Sequence, residues 1–413
     1  MSVQFLPLYI DPGTGSMLFS LFIGIAAAAS FALRALYLRL KFLFSGGKTD
    51  RNSDSKNIQI VIFSDHKRYW NVFEPICDEF EQHKKNIVYY TASSDDPALL
   101  KKYNYVHTEY LGEKNKPFAK LNFLHADIVL ATTPGLDVYQ WKRSKFVKLY
   151  IHIPHSVSDL CGYRMFGLDH YDAVLGTGLN QLPSLRKIEK LRPAIKEKEF
   201  SVVGCTYLDS MKNRLESFSK DEPHQKKVVL VAPSWGKSSI LSKFGNKFLE
   251  SLSNTGYEII IRPHPQSIVS EQNMLRPLQE KYSDFEWNYD NDNFDVLKRA
   301  DIMITDFSGV MFDYALVFDK PFIYADTKFD KSPYDIDWLE ESLWELQILP
   351  KIGVQLKEEQ FPQIKEIIAS TIENTDLQSA RNEVRDMAWQ KRGKAASEVY
   401  NFLLEKLQKL ETN

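Results

Sequence analysis

ADIMITDFSGVMFDYALVFDKPFIYAD, residues 300–326, is the stretch whose reading decides the fold. Residues 302–304 are an apolar run of the length of a buried parallel strand, and the run breaks at once into Thr305-Asp306-Phe307-Ser308-Gly309. Apolar residues return at mixed three- and four-residue spacing over 310–317, which predicts a helix starting just after Gly309, and Pro321 opens another short strand. Strand, polar turn, helix and strand in this order aim hydroxyls and unpaired backbone N–H groups at a helix start, where an anion is stabilised. A phosphate fits there. The plainer reading of the same residues makes Thr305 and Ser308 simple helix caps.

A second motif lies upstream. Residues 257–261 repeat the buried-strand pattern and run into Arg262-Pro263-His264-Pro265, where two prolines fix the backbone around one histidine at a strand exit. Open α/β sheets place their ligands at such exits. The device recurs earlier as Tyr150-Ile151-His152-Ile153-Pro154-His155-Ser156. Pro154 ends the ladder and puts His155 beyond the strand, which makes it the better placed of two candidate bases, His155 and His152. A histidine titrates near neutral pH and serves as a base toward a hydroxyl or as a holder of phosphate. A single strand-end histidine is more often structural, but two at equivalent places in two halves point to one shared cleft and to phosphoryl or glycosyl transfer from a nucleotide-activated donor.

Apolar runs at 58–63, 87–90, 128–131, 149–153, 173–175 and 200–203, with helical stretches such as 71–80 between several of them, predict a parallel sheet covered on both faces. After a polar stretch at 206–227 a second series follows at 228–232, 257–261, 285–287, 302–304 and 322–324. The expected fold is therefore α/β with two Rossmann-like halves, 57–205 and 226–375, facing one another across a cleft and followed by C-terminal helices at 376–413.

The amino terminus reads differently. Residues 17–33 are apolar or small, and the apolar character continues to Phe44 interrupted by Arg34, Arg39 and Lys41, enough to cross a bilayer. Basic residues follow the span and none precedes it, so the expected topology is a single uncleaved anchor over 1–44, a polar linker over 45–56, and both halves on the cytoplasmic side of the inner membrane. A helix lying in the membrane surface is the competing reading. The formal net charge of -2 implies no general nucleic-acid surface. Cys77, Cys161 and Cys205 are widely spaced and unpaired in pattern, which fits reduced thiols rather than a disulfide framework or a zinc site. With no His-Glu-x-x-His motif or cysteine cluster, neither metal nor cofactor is expected.

Arg262-Pro263-His264-Pro265, Ile304-Thr305-Asp306-Phe307-Ser308-Gly309-Val310-Met311-Phe312-Asp313 and Lys320-Pro321 together resemble the CDP-glycerol glycerophosphotransferase family, which includes teichoic acid primases and polymerases. The resemblance spans about 228–326 and extends in weaker form back to Tyr150. It implies a GT-B-like fold and transfer of glycerol phosphate, or a related polyol phosphate, from a CDP-linked donor to a hydroxyl on a membrane-bound glycan or lipid-linked acceptor, with release of CMP. It further implies His264 as catalytic together with a first-half histidine, His155 or His152, of which His155 is the better placed, and Arg262, Thr305, Asp306, Ser308, Gly309 and Asp313 as donor-binding. Departures from the family pattern fall at Ser308-Gly309, where two serines are usual, at Pro154-His155-Ser156-Val157, which lacks the family's glycine, and at Pro233-Ser234-Trp235-Gly236, which lacks an arginine. Two rivals keep the fold: a nucleotide-sugar glycosyltransferase for capsule or lipopolysaccharide, and a membrane-tethered nucleotide-binding protein without activity.

Overall fold

A computed structural model describes residues 58–218, 226–290 and 292–412. The expected anchor over 1–44 and linker over 45–56 lie outside the described residues. Among the described residues no helix is long and apolar enough to cross a membrane. Residues 57–413 form one compact unit containing two parallel sheets.

The first sheet comprises β1 (Ile58–Ser64), β2 (Ile87–Thr91), β3 (Val106–Tyr110), β4 (Ala126–Ala131), β5 (Val147–His152), β6 (Ala173–Gly176) and β7 (Glu199–Val202), ordered 3-2-1-4-5-6-7. The second comprises β8 (Val228–Val231), β9 (Glu258–Ile261), β10 (Glu286–Trp287), β11 (Ile302–Thr305), β12 (Phe322–Ala325) and β13 (Val354–Leu356), ordered 10-9-8-11-12-13. Every recorded pairing is parallel. Central strands such as β8 and β11 are buried along their whole length, which is why they read as unbroken apolar runs. In both sheets the order reverses beside the first strand, between β1 and β4 and between β8 and β11, so the crevice at the carboxyl ends opens there.

Two strands were invisible to the apolar-run criterion. β3 and β13 are sheet edges with partly exposed sequences, Val-His-Thr-Glu-Tyr and Val-Gln-Leu, so neither carries the continuous hydrophobic signal. The helix expected over 310–317 begins as an α-turn, Val310–Phe312, and widens into a π-turn, Asp313–Val317, whose last four residues are buried. Such widened turns are frequent at functional sites.

The chain ends back on the first half. Helix Ala395–Thr412 lays Val399, Tyr400, Leu403 and Leu407 into the same core as Ile76 and Phe80 of helix Trp70–Gln82, with the Phe80 and Tyr400 rings 4.9 Å apart. The crossing demands glycine. A Cβ on Gly204, which has φ +94°, would stand 2.6 Å from the Gln390 carbonyl oxygen. Buried Asp209 pins the same crossing by accepting Trp389 Nε1–H at 2.8 Å and Ala395 N–H at 3.0 Å.

Candidate active site

A cavity of about 590 Å³ lies between the carboxyl ends of the two sheets. From the second half its walls include Arg262, His264, Ser308, Gly309 and Asp313, and from the first Arg68, Tyr69, His155 and Tyr163. The two strand-exit histidines therefore share one cavity, as the sequence pattern predicts.

His264 follows β9 and caps helix Pro265–Ser270, its Nδ1 accepting the Gln266 N–H at 3.0 Å. That bond fixes the neutral tautomer with the proton on Nε2. Burial, helped by the Arg68 charge, pulls the imidazole down to about 4, so near neutral pH it is an uncharged N–H donor rather than a cation. His155 stands three residues past β5, packed against the Tyr69 ring at 5.1 Å with Nδ1 3.5 Å from Thr132 Oγ1. Burial and then Arg68 lower it also to about 4, leaving a neutral imidazole. His152, the alternative, is fully buried behind the wall, with Nε2 3.1 Å from the Tyr163 hydroxyl, and burial takes it to about 3. The position facing the cavity is His155.

Thr305 and Asp306, read from sequence as donor-binding residues, are turned away from the cavity. Thr305 is the last residue of β11 and its hydroxyl donates to the Ala232 carbonyl at 2.7 Å. The Asp306 carboxylate, 1% exposed, accepts the N–H groups of Ser234, Ile240 and Ser308 at 2.8, 2.9 and 3.1 Å. Both sit at the reversal point, where the exits of neighbouring β8 and β11 leave backbone polar groups that need partners. They hold the loop that presents Ser308 and Gly309. Arg262 reaches the cavity, but its guanidinium donates to the Asn288 side-chain oxygen and to the Asp290 carbonyl at 2.8 Å. Asp313 accepts from Tyr207 Oη at 3.0 Å and Asn293 Nδ2 at 3.2 Å, and burial raises it to about 7.

Sequence reasoning missed Arg68. It belongs to the short helix Lys67–Tyr69 just past β1, and its guanidinium makes no hydrogen bond or ion pair among the described residues. With both cavity histidines neutral and Arg262 engaged, Arg68 is the uncommitted cation on the cavity wall among the described residues. The available signal was position: the first strand flanks the reversal point, so polar residues after it face the crevice. Glu345 was missed as well. Its carboxylate accepts the Asp159 N–H at 3.1 Å while Asp159 Oδ2 accepts the Trp344 N–H at 3.0 Å, a reciprocal clasp between the His155 loop and helix Trp344–Ile352.

Burial and the Asp159 charge raise Glu345 to about 7, from an ordinary 4.5. Because the folded value lies above the unfolded one, the folded state binds the proton more tightly. The associated stability is present below pH 4.5 and is lost as pH rises through about 7. Glu345→Gln keeps an acceptor for Asp159 and removes the charge. Its unfolding temperature relative to the native protein is expected to increase between these limits, which thermal melts on either side measure. An equal offset at both pH values would show that Glu345 is not protonated in the fold.

Residues 208–405 match the family described as CDP-Glycerol:Poly(glycerophosphate) glycerophosphotransferase. The chain is 37% identical over 117 residues to the teichoic acid poly(glycerol phosphate) polymerase of Bacillus spizizenii, a match covering 25% of this chain and 29% of that protein. It thus spans less than a third of the length of the curated relatives it matches. Among solved structures, the wall teichoic acid polymerase TagF superposes with a TM-score of 0.56 at 16% identity, covering 95% of this chain and 99% of that one. The UDP-GlcNAc 2-epimerase from Neisseria meningitidis bound to UDP-GlcNAc gives 0.50 at 13% identity, with 84% and 100% covered. These likenesses establish a GT-B-like fold.

Proposed function

With residues 208–405 belonging to the CDP-glycerol:poly(glycerophosphate) glycerophosphotransferase family, we propose that this chain transfers glycerol phosphate, or a related polyol phosphate, from a CDP-linked donor to a hydroxyl of a membrane-associated glycan or polymer, releasing CMP. The observation that carries the reading is the pair of neutral histidines, one from each sheet, on one cavity whose floor is the helix start at Ser308 and Gly309.

In this reading His155 takes the proton of the acceptor hydroxyl as its oxygen attacks the donor's distal phosphorus. The new P–O bond forms while the phosphoanhydride bond breaks, and the electron pair leaves with CMP. His264 Nε2–H, the Ser308 hydroxyl and the first-turn amides at Gly309 donate to the phosphate oxygens. Arg68 supplies the positive charge. An adjoining cavity, walled by Trp235, Phe307, Phe329 and Tyr334 and sharing His264 and Ser308 with the first, takes the flat base against its rings. The apolar stretch over 17–44 holds the unit at the cytoplasmic face of the inner membrane, where soluble CDP donors and lipid-borne acceptors meet.

Titrating the purified protein with CDP-glycerol, UDP-sugars and CMP tests this. Tight binding restricted to the cytidine ligands, with CMP release in the presence of acceptor, is the expected result. Turnover of a UDP-sugar, or donor binding without turnover, would replace the proposal by one of its rivals. Arg68→Ala is expected to lower kcat/KM roughly a hundredfold, the loss typical of one charge-stabilising donor, with Arg68→Lys recovering part of it. Wild-type rates in Arg68→Ala would remove Arg68 from the mechanism.

A further inference from the structure

The opposite end of the first sheet carries an unexplained surface. Parallel strands all begin there, and the register sets them level: Ile58 lies beside Ala126, and Ala126 beside Val147, while the Val61–Val88 pairing brings Lys85 to the height of Ile58. Just outside this row stand Lys84 and Lys85 before β2, Phe123 before β4, and Lys145 and Phe146 before β5, all exposed. Phe123 is 74% and Phe146 42% exposed, unusual for phenylalanine.

The two aromatic turns are built rather than loose. Ser144 Oγ donates to the Leu124 carbonyl at 2.8 Å and the Ala126 N–H donates to the Phe146 carbonyl at 3.3 Å, which ties one turn to the other. Phe146 stacks on His125 with centroids 4.0 Å apart, and Lys145 Nζ lies 5.0 Å from the Phe146 ring. Of the carboxylates near the rim, exposed Glu411 accepts from Gln59 Nε2 at 3.3 Å beside Ile58, and the others are engaged. Glu81 accepts the Asn104 and Tyr105 N–H groups, Asp172 pairs with Arg143, and Asp127 pairs with Lys148. Lys84, Lys85 and Lys145 form no ion pair among the described residues.

We infer that this rim rests on an anionic bilayer surface, with Phe123 and Phe146 entering the headgroup boundary and the lysines facing lipid phosphates. Exposed aromatic rings with flanking cations suit that interface on both counts, apolar burial and charge. Chain continuity gives the partner. The protein reaches β1 at Ile58, in the middle of this rim, and the sequence before it is a twelve-residue linker over 45–56 preceded by the apolar stretch over 17–44. The inference rests on the membrane reading above. It adds an orientation: β5 spans six residues, about 20 Å at ~3.3 Å per residue, between the rim and the exit that leads to His155. The cleft therefore opens away from the bilayer, and the acceptor hydroxyl must be carried that far from its lipid, as the end of an extended chain rather than a group at the headgroup.

The test uses the full chain with an environment-sensitive dye on Phe123→Cys, and on Val269→Cys as a control in the second half, 79% exposed. Native Cys77, Cys161 and Cys205 are buried and escape labelling. On vesicles of phosphatidylcholine with phosphatidylglycerol, the dye at position 123 is expected to shift to the blue and to be quenched by spin-labelled lipid, while that at 269 stays aqueous. Reversing Lys84, Lys85 and Lys145 to glutamate should return position 123 to the aqueous signal. Protein that sediments with vesicles but gives the same aqueous signal at both positions overturns the rim and leaves the anchor standing. Protein that does not sediment overturns both.

Discussion

Replacing His155 by alanine is expected to lower kcat by roughly three orders of magnitude, the loss typical of removing a positioned general base. The side chain faces the cavity and its hydrogen-bond contact is a long one, 3.5 Å to Thr132, so the fold should survive with little change in unfolding temperature. The native pH profile offers a second check. The groups facing His155 are Arg68 and Tyr69 from the helix after β1, Thr132 after β4, His152 at the end of β5, and Tyr163. Together with burial, the Arg68 charge puts the imidazole near 4, so the basic form persists well below neutrality. The acid limb of kcat/KM, which reports the free enzyme, should therefore lie near pH 4 instead of near the ordinary 6.5. In Arg68→Ala the limb moves upward, because a cation that disfavoured protonation is gone. A His155→Ala enzyme within about tenfold of native turnover would leave the base unidentified.

His264→Ala is expected to cost a hundredfold or more in kcat, since it removes a preorganised donor aimed at the transferred phosphate. It also removes the cap on helix Pro265–Ser270, a loss of about 1 kcal/mol, so a fall in activity alone is ambiguous. His264→Asn separates the two effects. Asparagine caps a helix well but is too short to place a donor where Nε2–H stands, so this variant should recover the stability and not the rate. Recovery of both would make His264 a structural cap and shift the phosphate contacts onto Arg68 and the helix start.

The sequence by itself determined the architecture and much of the cavity wall. Runs such as Val228–Val231 and Ile302–Thr305 are buried on both faces, so their hydrophobicity is continuous and legible without partners. Pro154 and Pro263 mark where strands end, and this alone places His155 and His264 at the crevice. Ser308, Gly309 and Asp313 reached the cavity for the same reason, as parts of a strand-turn-helix unit with a fixed direction.

Only the tertiary structure decided what each polar group does there. Thr305 and Asp306 have the chemistry of phosphate ligands, yet their hydrogen-bonding capacity is taken up by Ala232, Ser234 and Ile240, residues some seventy positions away that only strand pairing brings near. Arg262 is held by Asn288 and Asp290 across a neighbouring strand exit, while Arg68, with no motif to announce it, is left facing two histidines from different sheets. Edge strands β3 and β13 escaped notice because half of each faces solvent. Local pattern records which side chains a strand or helix needs in order to be buried. Whether a buried polar atom is already satisfied depends on groups distant in the chain, and that is settled only when the sheets close.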